Sequence, residues 1–456
     1  MMARRAGWAA AVAVTALVAA GCGGHAGKHV SEKALTGMMR GTYSETDGSG
    51  GSAGSSAGGS AGGSADSSGD IAAAPSAAAV APAGSAAAPA GSPAAGMADS
   101  DGAPAVAPTP SNQLGLRAGS VDDNARFTEY ASYRQQYLQL GLPAHSFDIT
   151  ARHIFTVTND SGDPILGADV AISDLQGNAV AQLQTYSDGR ALWFPQQQDD
   201  VNTPLEATIT RGKAMAEVRV NPGVRDYDIT LNASGAKASV PLDIEFVVDA
   251  TGSMGDEIAQ LKASLSDIAA RIDALPAQPD VHFALTIYRD RSDAYVTRTW
   301  NFSSDLGGFE QEISGVAAFG GGDYPEDVQQ GLYDALHKPA WRGPGAVKLM
   351  FLLGDAPPHL DYPDDPDYIA TAVDAAKLGI KIETLAASGL DDEGEFIWRQ
   401  LAEITSGQFM FLTYGPNGGP GNDTTHHVSG YAPMNLDDLV VNLVSQELSP
   451  VDTYQQ

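Results

Sequence analysis

The chain has 456 residues, with 26 Lys and Arg against 56 Asp and Glu, a formal charge of −30 and one cysteine. The length suits about three domains or fewer, and the acidity excludes nucleic acid and anionic lipid surfaces as electrostatic partners. A single cysteine excludes a disulfide framework.

Residues 1–21 read as an export signal. Arg4 and Arg5 form a positive n-region, and the apolar run from Trp8 to Ala20 is too short to span a membrane. The sequence Val18-Ala19-Ala20-Gly21-Cys22 resembles the lipobox of bacterial lipoproteins, departing from it at Ala19, where Leu is usual. The resemblance implies that Cys22 becomes a lipidated first residue, which anchors the chain firmly at about 0.8 kcal/mol per buried CH₂. The expected location is therefore the bacterial cell envelope. Gly23, where Asp favours inner-membrane retention in enteric lipoproteins, leans toward the outer membrane, on its periplasmic face or at the cell surface.

Residues 22–112 are low in complexity, dominated from residue 41 by Ala, Gly, Ser and Pro with one aromatic, Tyr43. Such a composition cannot bury enough apolar surface to offset the entropy of ordering, so a tether is expected. It is flexible where Gly and Ser dominate and more extended from Pro75 onward.

In 113–144, Ser120 followed by Asp122 and Asp123 reads as a helix start. Phe127, Tyr130, Tyr133 and Tyr137 follow at helical spacing, a packing stripe for a helix docking on the domain after it. In 145–233 the period changes to two. Short runs at 154–157, 169–172, 179–182, 191–194, 205–209 and 216–220 are separated by turn signals such as Asp188-Gly189 and Asn221-Pro222-Gly223. This spacing predicts a small antiparallel β-sandwich. The runs GDPILGADVAI and TYSDGRALWFP resemble the carboxypeptidase regulatory-like or immunoglobulin-like repeat of bacterial surface proteins, which implies a spacer or accessory module.

Residues 240–450 alternate apolar strands with amphipathic helices, which predicts a doubly wound, mostly parallel α/β sheet of the Rossmann-like kind. Its first strand runs into Asp249-Ala250-Thr251-Gly252-Ser253, one carboxylate and two hydroxyls where a strand hands over to a helix. Two further loops are expected at the same edge. One is Gly320-Gly321-Gly322-Asp323-Tyr324-Pro325-Glu326, and the other is Asp355-Ala356-Pro357-Pro358-His359 after a second buried strand. Hard oxygens gathered there suit Mg²⁺, with Mn²⁺ or Ca²⁺ as substitutes.

D-x-T-G-S, GGGDxPE and DAPPH in this order, with Tyr288-Arg289-Asp290 after the second strand, resemble a bacterial and hemicentin-like subgroup of von Willebrand factor A domains and their metal-ion-dependent adhesion site. The resemblance implies that Ser253 ligates the ion directly, that Thr251 lies beside it, and that Asp249 and Asp355 act largely through water. It also implies a Thr ligand from the glycine-rich loop. Here Asp323 and Tyr324 occupy that region, and Asp323 is the expected ligand, its charge lowering the electrophilicity of the ion. Tyr288, Arg289, Asp290, Glu326 and His359 are expected at the rim.

The implied function is metal-dependent binding of a protein or other envelope ligand through an acidic group. A scaffold with a structural or degenerate site is the alternative, and a hydrolase a distant third. Thr251-Gly252-Ser253-Met254-Gly255 lacks the first glycine of G-x-S-x-G, and neither a P-loop nor G-x-G-x-x-G occurs, so no enzyme is expected. Asp361, Asp364, Asp365 and Asp367 read as a second Ca²⁺ loop or as a solvated one. His426 and His427 near Asp423 read as transition-metal ligands or as plain loop residues.

Overall fold

The computed structural model of the protein describes residues 115–452, apart from 198–199, 201, 233–238, 256 and 416–420. The expected export signal, Cys22 and the tether of 22–112 lie outside the described residues. No helix among the described residues is long and apolar enough to cross a membrane.

The first element is a strand, β1 (Arg117–Val121), followed by helix α1 (Phe127–Leu140). The helix therefore begins later than Ser120 suggests. Ser120 lies in a ladder with the strand at Phe409–Leu412, a partner far away in sequence, and that pairing overrides the local capping signal. Gly141, at φ +70°, ends α1 in the left-handed conformation that favours glycine.

Seven strands then form two small sheets: β2 (His153–Thr158), β3 (Asp169–Ser173), β4 (Ala179–Gln184), β5 (Arg190–Trp193), β6 (Leu205–Arg211), β7 (Ala214–Val220) and β8 (Asp226–Thr230). Their orders are β5-β2-β8 and β4-β3-β6-β7. Phe155, Val157, Val170, Ile172, Ala207 and Ile209 alternate inward and fill the space between the sheets. The sandwich is not wholly antiparallel, because β8 runs parallel to β2.

The second half of the chain contains β9 (Pro241–Asp249), a 3₁₀ turn at Gly252–Gly255, α2 (Ile258–Asp273), β10 (Asp280–Tyr288), β11 (Thr297–Ser303), α3 (Leu306–Gly315), α4 (Val328–His337) and β12 (Val347–Gly354). It continues with α5 (Tyr368–Lys377), β13 (Ile380–Ala386), α6 (Asp392–Ile404), β14 (Phe409–Leu412), β15 (Met434–Asn435) and α7 (Leu436–Asp452). One eight-stranded sheet results, in the order β11-β10-β9-β12-β13-β14-β1-β15. Strands β10, β9, β12, β13 and β14 are mutually parallel, and β11, β1 and β15 join the sheet through antiparallel pairings.

Period-two alternation explains how the sheet is covered on both faces. Ile244, Phe246 and Val248 of β9 pack with Leu265 of α2, Phe309 of α3 and Val444 of α7. Val247, Met350 and Leu352 point the other way, into a cluster with Leu332 of α4, Tyr368 of α5, Trp398 of α6 and Tyr130 of α1. Helix α1 thus docks on the α/β sheet, where Tyr137 stacks on Phe396 at 3.9 Å and Arg399 reaches back to Asp123 at 2.8 Å.

The sandwich touches the amino ends of the central strands. Ala376 of α5 joins its core, Gln184 accepts from Lys348 Nζ at 3.4 Å, and Ser187 donates to Glu447 at 2.6 Å. The opposite, carboxyl edge is left to loops. Strand order reverses direction between β9 and β12, and in open α/β sheets ligands bind at such a reversal, outside the carboxyl ends of the strands.

Candidate metal centre

Asp249 ends β9 and Asp355 follows β12, so adjacent parallel strands deliver both carboxylates to the reversal point. The first loop turns tightly on Asp249, whose Oδ1 accepts from Thr251 N at 2.8 Å and from the Thr251 hydroxyl at 2.7 Å. The 3₁₀ turn then projects Ser253, whose hydroxyl donates to Asp355 Oδ1 at 3.0 Å. With both hydroxyl protons on carboxylates, the two hydroxyl oxygens stand 3.1 Å apart with lone pairs to offer. Asp249 and Thr251 are fully buried, Asp355 is nearly so, and Ser253 is exposed, so the cluster opens to solvent at the serine.

The glycine-rich loop lies against this turn. Gly252 N donates to Gly320 O at 3.0 Å, and a side chain at Gly252 would meet that oxygen at 2.8 Å. Gly320 and Gly321 have φ of +86° and +72°, a left-handed pair that other residues adopt only with strain. A Cβ at Gly321 would stand 2.8 Å from Glu326 Oε1 and 3.4 Å from Thr251 Cβ, which locates the Glu326 carboxylate beside the first loop.

Glu326, read from the sequence as a rim residue, is thus the acid that the glycine loop brings to the cluster. It is held there by backbone bonds from Glu326 N to Pro357 O and from His359 N to Glu326 O, each 3.0 Å. The Asp323 carboxylate is exposed, and its Oδ2 is 3.9 Å from His359 Nε2. Neighbouring Tyr324 donates its hydroxyl to Gly389 O at 2.9 Å and accepts from Asp391 N at 3.0 Å, tying two loops together.

The electrostatics of the cluster are those of carboxylates crowded without compensation. Burial, then the Asp355 charge, pushes Asp249 up to about 7. Burial, then Asp249, Asp290 and Asp355, pushes Glu326 up to about 9. Asp249 Oδ2 and Glu326 Oε2 are buried and make no hydrogen bond of normal geometry, although the Tyr288 phenol lies against the Asp249 carboxylate. Arg289 does not neutralise them. Its Nε donates to Ala250 O at 2.9 Å, one terminal nitrogen donates to Ala317 O at 2.7 Å, and its guanidinium lies over Tyr295.

This donor set fits a hard divalent cation: every donor is an oxygen, several are anionic, and the burial that raises their pKa values is relieved when a cation enters. Asp249, Ser253, Asp355 and Glu326 are the groups that would hold it.

Several of the remaining sequence candidates have partners of their own. Asp290 is buried and accepts from the Tyr362 hydroxyl at 3.0 and 3.2 Å. In the acidic loop, Asp365 pairs with Arg291, Asp367 caps α5 by accepting from Ile369 N at 2.7 Å, and Asp361 bonds His359 at 2.7 Å. His426 and His427 turn toward Glu395, at 3.3 and 3.2 Å.

The sheet order, the covering helices and this loop edge define a von Willebrand A fold. Residues 243–413 match the von Willebrand factor A domain family. Among curated proteins, the chain is 29% identical over 197 residues to the alpha-protein kinase vwkA of Dictyostelium discoideum, 42% of this chain and 31% of that one. It is 33% identical over 128 residues to the human von Willebrand factor A domain-containing protein 7, 28% of this chain and 13% of that one. The matches therefore span about a third or less of those relatives. Among solved structures, the open form of the pilus adhesin SpaC from Lactobacillus rhamnosus GG aligns with a TM-score of 0.32 at 15% identity, covering 57% of this chain and 33% of that one. Domains of this family are interaction modules in general, and they often bind a divalent metal.

Proposed function

We propose that the chain is an envelope protein, lipid-anchored through Cys22, whose carboxyl sheet edge holds Mg²⁺ and captures a protein or other envelope ligand through an acidic group. The observation that carries the reading is the buried Asp249 carboxylate, facing Asp355 and Glu326 with the Thr251 and Ser253 hydroxyls beside it. A divalent cation bound there would offer a coordination position to an incoming carboxylate. Ser253 supplies a neutral oxygen at the solvent-facing side, and the glycine turn keeps the approach open. The Ser253 hydroxyl donates to Asp355, a carboxylate of the same cluster, and we read the domain as a binding module.

A second reading is supported by Glu326. A third carboxylate makes the ion better neutralised and less electrophilic, which favours a structural ion in a scaffold subunit. Melting of the full chain with titrated Mg²⁺ tests the ion. Mass action predicts stabilisation of about 2.7 kcal/mol at a hundred times the dissociation constant. Ser253→Ala with Asp355→Ala abolishes it if the site is placed correctly, and an equal response in both proteins puts the ion elsewhere. Capture from envelope extracts in Mg²⁺ or EDTA then separates the readings. A partner retained only in Mg²⁺ supports adhesion, and one indifferent to EDTA supports the scaffold.

A further inference from the structure

Beside the oxygen cluster, a second group of side chains has a different chemistry. His359 sits in the loop after β12, 4% exposed, and its Nε2 is buried with no hydrogen-bond partner. That nitrogen faces two carboxylates, Asp290 Oδ1 at 3.6 Å and Asp323 Oδ2 at 3.9 Å, both too long for hydrogen bonds. Its other nitrogen is committed. Nδ1 lies 2.7 Å from Asp361 Oδ1, and an exposed carboxylate only accepts, so Nδ1 carries a proton and Nε2 is the nitrogen left to offer a lone pair to an ion. The imidazole nitrogen and two carboxylate oxygens therefore converge on one point without a hydrogen bond among them.

We propose that Asp290, Asp323 and His359 form a second cation site, selective for a borderline transition ion such as Zn²⁺. A nitrogen donor among carboxylates favours such an ion over Mg²⁺, for which the all-oxygen cluster is suited. The spacing fits. An ion with arms of about 2.0–2.2 Å holds tetrahedral ligands about 3.4 Å apart, a little closer than the two separations here. The three ligand atoms all lie within 4.8 Å of one another.

The surroundings are those of a supported ligand. The Asp361–His359 bond fixes the tautomer and orients the ring, as carboxylates do for metal-bound histidines. Tyr362 stacks on the imidazole at 3.9 Å and donates its hydroxyl to Asp290, fixing a second ligand. Asp323 closes the site from the solvent side, leaving access for a water as fourth ligand. This assigns Asp323 a metal, but not the one held by Asp249 and Ser253. The proposal does not depend on the Mg²⁺ reading, because it shares no ligand with it.

The other histidine cluster among the described residues, Asp392, Glu395 and His427, lacks this feature, since Glu395 already accepts from Arg399 Nη1 at 2.9 Å and from His427 N at 2.9 Å.

Calorimetric titration of Zn²⁺ into the full chain, stripped with chelator and held in excess Mg²⁺, tests the proposal. One Zn²⁺ equivalent is expected to bind against the Mg²⁺ background. His359→Gln and Asp323→Asn should each remove that equivalent or weaken it by about 10–100-fold, a loss typical of perturbed metal sites. Asp361→Asn should weaken it less, and Ser253→Ala should leave it unchanged. Asp323 is exposed, so its variant decides the matter even if His359→Gln fails to fold. Zn²⁺ binding that survives both ligand variants, that is lost in His427→Gln instead, or that is absent from the parent protein overturns the assignment.

Discussion

The two ends of the central sheet treat buried charge in opposite ways. At the amino end, the buried charges of Asp243 and Lys381 are paired. Asp243 of β9 is buried against Arg342, accepting from Nε at 2.6 Å and from the Arg342 backbone at 2.7 Å. Lys381 of β13 meets Glu447 at 2.7 Å. At the carboxyl end, Asp249 and Glu326 form no ion pair with Lys or Arg among the described residues, and their carboxylates repel one another. Asp243 and Asp249 belong to the same strand and are both fully buried, so burial alone does not explain the difference. Arg342 and Lys381 supply cations at the amino end, whereas at the carboxyl end the proposed Mg²⁺ would supply one.

The largest effect is expected at the paired end. Arg342→Met strips the side-chain partner from a fully buried Asp243 and should cost about 3 kcal/mol, measured by urea unfolding, because an uncompensated buried charge remains. A loss below about 0.5 kcal/mol would show that the amino end does not depend on pairing.

Gly354→Ala probes the other end. A Cβ there would meet the Tyr288 hydroxyl at 2.4 Å and Asp249 Cβ at 3.1 Å. Overpacking should cost about 1–3 kcal/mol and should also weaken the Mg²⁺ response, since Asp249 must move. An unchanged response with lowered stability would separate Gly354 from the ion.

The pH dependence sharpens the contrast between groups that an ion relieves and those it does not. Glu383 on β13 is pushed up to about 8, mainly by burial and against the pull of Lys381. A raised carboxyl pKa contributes stability that is complete below the unfolded value near 4.5 and is lost as pH rises through 8. The loss is about 1.4 kcal/mol per pH unit for the one proton at its steepest. Glu383→Gln should flatten the fall between pH 5 and 8, with or without Mg²⁺. A slope in the parent that Mg²⁺ abolishes completely would assign the held proton to the other end.

The smallest effect on stability is expected at Phe319, 73% exposed where the glycine loop begins. Phe319→Ser should change stability by less than about 0.5 kcal/mol yet reduce Mg²⁺-dependent capture, because an exposed aromatic beside the cluster is available to a partner. Full capture by the variant would remove the apolar rim from the binding surface.

Much of this organisation was legible from residue order. The unbroken apolar runs of β9 and β12 require burial on both faces, and the Asp-x-Thr-x-Ser and Asp-Ala-Pro-Pro-His turns must follow them directly, so Asp249, Thr251, Ser253 and Asp355 were assignable to one edge. Strand and helix type followed from periods of two and 3.6. What the sequence could not decide was long-range. Residues 117–121 look like the approach to a helix until β14 is present to pair with them. The parallel pairing of β8 with β2 depends on a partner far along the chain. The placement of Glu326 beside the first loop turns on two left-handed glycines and on the bond from Glu326 N to Pro357 O. Local chemistry determined which side chains are suited to hold a cation, because ligand type is a property of the residue. Only the tertiary structure decided which of them meet, because convergence depends on the path of three separate loops.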